Sequence, residues 1–172
     1  MIDHPDSLRL PVGVVVERRP ATSPWADWVW KPAAVLLDLP EVPPWTLLRE
    51  EGGAALFYAG ATDITLFPTD TDNYRHALQQ TPPRLWVVLR PDAAAPQGWR
   101  LQAATVDAGE AEIYAESPSD LTEPLPMPPA LAEVVEAYVA RHHKERIFHK
   151  RRRDRADPEA LARRPAGAEE AE

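Results

Sequence analysis

The sequence contains no cysteine. That absence removes disulfides, thiolate-held zinc, iron–sulfur ligation and cysteine nucleophiles in one step. Glycine is scarce, at 7 of 172 residues, and its arrangement excludes more than its number does. Neither G-x-G-x-x-G nor a glycine loop ending in Lys-Ser/Thr occurs, so the two common phosphate-cradling loops are missing. Ser7, Ser23, Ser117 and Ser119 sit beside prolines or in polar flanks, outside any G-x-S-x-G elbow, which argues against a serine hydrolase. No stretch approaches the roughly 18 apolar residues of a membrane span. The opening MIDHPDSLRLP has no basic segment followed by an apolar one. A cytoplasmic location, with no membrane partner, is the expectation.

What is present is proline, tryptophan and an uneven charge. With 44% hydrophobic residues the chain has enough apolar material for one cored domain. The 20 prolines cut it into short apolar runs. Pro11–Arg19, with its β-branched centre from Val12 to Val16, reads as a central strand that Pro20 ends. A tryptophan-bearing loop over 21–32 should lead to a second strand, Ala33 to Leu39. Trp45 to Glu50 and Ala54 to Ala59 read as a hairpin around Gly52-Gly53, with a further strand through Ile64 and Leu66 after a turn at Gly60. Asp70 or Thr71 should start a short helix to Gln79, and Asp107 a second one. Arg84 to Pro91 and the run from Trp99 are strands. Five prolines between Pro118 and Pro129 predict an extended connector.

The longest helix should begin at Pro129, with Leu131, Val134, Val135, Tyr138 and His142 on its buried stripe. Strands do not alternate with helices as a parallel sheet requires. The predicted class is therefore α+β: a mostly antiparallel, twisted or barrel-like sheet of six to seven strands, one long C-terminal helix and two short helices. Residues 1–10 are expected to be a flexible lead-in, 11–148 a single domain, and 149–172 a disordered tail, basic and then acidic.

The net charge of −8 conceals an acidic body and a basic arm. Through Ala140 there are 9 Lys+Arg against 20 Asp+Glu, whereas Arg141 to Arg155 holds 8 against 2. The arm, including Lys150, Arg151, Arg152 and Arg153, points to an anionic partner or to folding back on the body. An acidic body repels nucleic acid, so an acidic protein or an anionic cofactor suits the arm better.

Candidate binding residues follow from residue type. Arg18, Arg19, Arg75 and Arg90 each flank a strong apolar element, where a bidentate contact to carboxylate or phosphate could be held rigidly or where the body's own acids could pair with them. Trp25 shares a loop with Trp28 and Trp30, and the last two, spaced by two residues, should share a face as an aromatic ledge or a core lid. His142 and His143, with His149, are the only candidate metal cluster, but adjacent helical residues diverge by about 100° and cannot readily chelate one ion together. His142 is expected on the helix's buried edge and His143 on its wet side. Asp63, Asp70 and Asp72 are scattered near one turn, and Asp70 and Asp72 suit helix capping better than magnesium. No catalytic or metal residue is assigned, and the expectation leans away from an enzyme.

The segments PVGVVVERR, SPWADWVWKP, YRHAL, WVVLRP and PMPPALAEVVEAYVARHH with FHKRRR together resemble a bacterial family of domains of unknown function, family three-three-zero-five. The resemblance implies a gene neighbourhood of molybdenum-dependent formate dehydrogenase and its accessory factors, and a frequent label of molybdopterin-guanine dinucleotide biosynthesis protein A. It carries no catalytic residues. Molybdenum cofactor guanylyltransferases open with L-A-G-G-x-S-x-R-M-G, and no residue of Pro11–Arg19 matches that loop. The expected function is an accessory or assembly protein for such a molybdoenzyme, binding the apo-enzyme, its maturation factors or a molybdopterin-type cofactor. Guanylyl transfer with GTP and a nucleic-acid-binding module are the alternatives.

Overall fold

A computed structural model describes residues 4–145; Lys150, Arg151, Arg152 and Arg153, and the tail expected over 149–172, lie outside the described residues. In chain order the elements are β1 (Leu8–Pro20), β2 (Trp28–Leu36), β3 (Thr46–Glu51), β4 (Ala54–Leu66), α1 (Thr71–Gln79), β5 (Arg84–Pro91), β6 (Trp99–Thr105), α2 (Ala108–Ala115), β7 (Leu121–Pro126) and α3 (Pro129–His142). They form two antiparallel sheets, ordered β2-β1-β4-β3 and β6-β5-β7. The α+β class and the seven strands agree with the expectation. The sheets do not close into a barrel, although β4 runs beside β6 and β2 beside β7.

One core fills the space between them. Val12, Val14 and Val16 of β1 are fully buried there, with Ile64 and Leu66 of β4 and Leu85, Val87 and Leu89 of β5. Gly13 lies on β1 because a Cβ at that position would come within 2.9 Å of the Tyr58 ring. It is a packing glycine rather than part of a loop. At one end, α1 and α3 cover the core through Tyr74, Leu131, Val135, Tyr138 and Val139. At the other, β1 runs on to Arg18, roughly 33 Å beyond Leu8 at about 3.3 Å per residue, and ends at Pro20.

Three bulges set which side chains reach the inner face. In β4, Val14 pairs with Gly60 and Val15 with Tyr58, so Ala59 is the extra residue. The inward set then changes from Ala55 and Phe57 to Ile64 and Leu66. In β2, Val15 pairs with Ala34 and Val16 with Pro32, so Ala33 is extra. Leu48 is the extra residue of β3.

Several expectations change. Gly60, at φ +124°, pairs with Val14 beside the Ala59 bulge and makes no turn, so Ala54–Leu66 is one continuous strand. The strand begins at Leu8, inside the stretch expected to fray, because Leu8 and Leu10 pack on the core. The second strand spans Trp28–Leu36 and takes Trp28 and Trp30 out of the loop. The proline-rich connector contains β7, which pairs with β5 from Leu121 to Pro126. As an edge strand with β5 on only one side, β7 tolerates Pro124 and Pro126. On α3 the buried residues are Leu131, Val135, Tyr138 and Val139, while Val134 is 38% exposed.

Candidate binding site, an arginine boxed by aromatic rings

The bulge at Ala33 puts Trp28 and Trp30 on the inner face of the four-stranded sheet, beyond the end of the core. Arg18 pairs across the strands with Trp30 on one side and Ala55 on the other, and Ala55 pairs in turn with Glu50. Cross-strand partners point to the same face. Trp30, Arg18, Ala55 and Glu50 therefore form one transverse row, flanked by Trp28 at the rim and Phe57 toward the core.

The Arg18 guanidinium carbon lies 4.1 Å from the centre of the Trp28 ring, 5.2 Å from Phe57 and 5.9 Å from Trp30. A cation over these ring faces is stabilised by their quadrupoles, most strongly by tryptophan. The side chain is 19% exposed, and its buried Nε has no hydrogen-bond partner. Glu50 Oε1 is 3.9 Å from an Nη, an ion pair without a hydrogen bond. Stacking satisfies the guanidinium's faces; along its N–H edge, Nε is buried without an acceptor and the Nη nearest Glu50 has none at hydrogen-bond distance.

Trp45 buttresses the box from below, its ring edge-on to Trp30 at 6.0 Å and 89°. Its backbone is left-handed, at φ +67°, and its N–H donates to the Tyr58 carbonyl. That conformation costs a non-glycine residue roughly 1–2 kcal/mol, which burial of the indole offsets. Trp45 and Phe57 were not among the site residues read from the sequence. The signal for Phe57 is its pairing with Val16, which requires the register. Trp45 offers only the preceding Pro43-Pro44 as a hint of an unusual turn.

The other candidates are dispersed. Trp25 is 93% exposed on the loop before β2 and is not one of the rings around Arg18. Arg19 points to the outer face, where it donates to Glu17 at 2.6 and 3.1 Å. Arg90 makes a two-pronged pair with Asp120, at 2.9 and 2.6 Å, whose side chain is fully buried. The hydrogen bond from Arg90 holds the Asp120 carboxyl below its usual range.

Arg75 on α1 meets His143, Nη1 to Nε2 at 2.9 Å, with Asp72 at 4.0 Å. An arginine can only donate, so Nε2 accepts and Nδ1 carries the proton toward Thr71 Oγ1, 3.1 Å away. His143, expected on the wet side, is thus wedged against α1 with 14% of its side chain exposed. It follows the last turn of α3 in extended conformation and so escapes the helical face that periodicity assigns it. His142 is half-buried and lies 4.4 Å from the Tyr138 ring, beside a groove of about 450 Å³ that Asp6, Leu8 and Arg141 also line.

Among the described residues no group of three or more His, Cys, Asp or Glu side chains could hold a metal ion, and no helix is long and apolar enough to cross a membrane. Arg18 and its rings offer charge and π-faces, which serve recognition rather than proton transfer. Residues 11–152 match the model of a family described as protein of unknown function (DUF3305). No curated protein and no solved structure matches the chain.

Proposed function

The chain belongs to that family, and from this premise we propose that it is a cytoplasmic accessory protein that binds a molybdenum-dependent enzyme such as formate dehydrogenase during assembly. The observation that carries the reading is the boxed Arg18, a desolvated cation with an incompletely paired edge at the open end of a rigid sheet. A guanidinium held this way is pre-oriented for an incoming anion and loses little entropy on binding. The gene neighbourhood that the resemblance implies supports the choice of partner. The basic arm beyond Glu145 adds a second, salt-sensitive attraction for an acidic maturation factor or apo-enzyme. A molybdopterin-type cofactor or GTP is the other occupant the ledge would suit, through stacking and phosphate pairing.

The test is deletion of the gene in its native host, combined with affinity capture of the tagged protein. The proposal expects formate dehydrogenase activity to fall, the enzyme to co-purify with the wild-type protein, and less of it to co-purify with Arg18→Met. Unchanged activity and unchanged cofactor content of the dehydrogenase would refute it. Capture of pterin or guanine nucleotide without the enzyme would favour the cofactor-binding form.

A further inference from the structure

Resting on the reading of Arg18 as a recognition point, we infer that Glu50 is an internal stand-in for the ligand, and that the ledge takes the carboxylate of an aspartate or glutamate on a partner protein. The protein itself supplies the comparison. Where its arginines are saturated the geometry is short and forked: Arg90 reaches both Asp120 oxygens at 2.9 and 2.6 Å, and Arg19 reaches Glu17 at 2.6 and 3.1 Å. Arg18 is more enclosed than Arg19, with 19% against 65% of its side chain exposed, yet its nearest carboxylate oxygen is 3.9 Å away.

Burial raises the need for a short acceptor, and the acceptor on hand does not supply it. Glu50 reaches toward Arg18 across the width of β4 from an edge strand, and 60% of its side chain is solvated. It occupies the right side of the guanidinium at the wrong distance. A carboxylate brought from outside can meet the Nη edge squarely while Glu50 swings into water.

The surroundings select a carboxylate over a phosphate. A single negative charge is compensated by Arg18 alone, whereas a nucleotide or nucleic acid adds charges that face a body with 20 Asp+Glu against 9 Lys+Arg through Ala140. The rim supplies apolar surface for the residues next to that carboxylate, since Trp28 is 41% exposed and Leu47, paired with Phe57 on the same face, is 47% exposed. The occupant is therefore an acidic segment with an apolar neighbour.

The test titrates the full-length protein with a blocked peptide carrying one glutamate flanked by leucines and reads tryptophan emission, with inorganic phosphate and GMP as parallel titrants at matched ionic strength. Saturable binding of the peptide is expected, lost in Arg18→Met, which keeps a long apolar stem against the rings. Glu50→Gln should tighten it roughly two- to fivefold, the span of an exposed ion pair. Glu50 is on the surface, so this variant reports even if Arg18→Met fails to fold. Equal affinity in wild type and Glu50→Gln, peptide binding that survives Arg18→Met, or competition by phosphate or GMP at the peptide's own affinity would each overturn the inference. Should the peptide fail while formate dehydrogenase still co-purifies, the carboxylate assignment falls and the accessory role stands. The converse result separates them the other way.

Discussion

Replacing Gly13 with alanine discriminates between two meanings of the N-terminal strand. In a nucleotide-binding protein a glycine near the end of the first strand makes room for phosphate; here it makes room for a ring. An added Cβ would stand 2.9 Å from Tyr58 Cε2, 3.3 Å from Leu39 Cδ2 and 3.4 Å from the Tyr58 hydroxyl. Carbon atoms pack best at about 3.5–4.0 Å, so the first overlap is roughly 0.6 Å or more. Tyr58 is only 3% exposed, and its ring has little room to retreat.

Overpacking of this kind costs about 1–3 kcal/mol. Against it stands the roughly 0.5–1 kcal/mol that alanine gains over glycine inside a strand. The net expectation is a loss of about 1 kcal/mol, or some 2–4 °C in melting temperature for a domain of this size. Chemical denaturation of Gly13→Ala measures it directly. The double variant Gly13→Ala with Tyr58→Leu should be less destabilised than the sum of the singles, because the clash is shared. A Gly13→Ala protein as stable as wild type would refute the packing argument, and one that lost only nucleotide binding would return the strand to phosphate recognition.

Other outcomes follow from individual contacts. Trp28→Ala removes the ring nearest Arg18 and should cost about 0.5–1 kcal/mol of stability, the value of a partly exposed cation–π contact, while weakening peptide binding more than Trp25→Ala does; equal effects of the two would count against the ledge. Tyr138→Phe removes a hydroxyl that bridges the carbonyls of Asp6, at 2.8 Å, and Leu66, at 3.2 Å. Its expected cost is about 1–2 kcal/mol by denaturation, with faster proteolysis ahead of Leu8. The Asp120 carboxyl is depressed by its hydrogen bonds from Arg90, so the pair stabilises the fold at pH values above the ordinary carboxylate range and loses that contribution as pH falls through the depressed value. The melting temperature of wild type should exceed that of Asp120→Asn by a constant margin above about pH 5, and the margin should shrink below about pH 4. A margin unchanged down to pH 2 would show the pair to be electrostatically inert.

Much of the fold was legible because apolar runs and prolines coincide with element ends. Pro129 did open the long helix, and Asp107 did cap α2, accepting from the N–H groups of Gly109 and Glu110. What failed was continuity. Gly60 looked like a turn because the inward positions change parity there, and a one-residue bulge is indistinguishable in sequence from a break followed by a new strand. The prolines of β7 hid a strand, because an edge strand gives up hydrogen bonds on its outer side without cost to the sheet.

The site was half legible for a related reason. The spacing of Trp28 and Trp30 placed both on one face, but which face, and that Arg18 shared it, depended on pairings between strands. Arg75, Arg90 and Arg18 look alike in sequence, each at the flank of an apolar element. Only their neighbours distinguish a saturated structural pair from an incompletely satisfied cation.

The extra residue in β2 has a consequence for how chains of this kind can be compared or edited. Ala33 has no partner on β1, so losing it would leave Ala34 opposite Val15 and Pro32 opposite Val16, close the bulge, and keep Trp30 opposite Arg18 with both indoles on the inner side. The bulge is slack of one residue. A second loss between Trp30 and Val35 has no bulge left to absorb it; it would shift Trp28 and Trp30 by one position against β1 and turn both indoles to the opposite side of the sheet. A homologue that keeps Arg18, Trp28 and Trp30 but is two residues shorter in that interval has every residue of the box and no box.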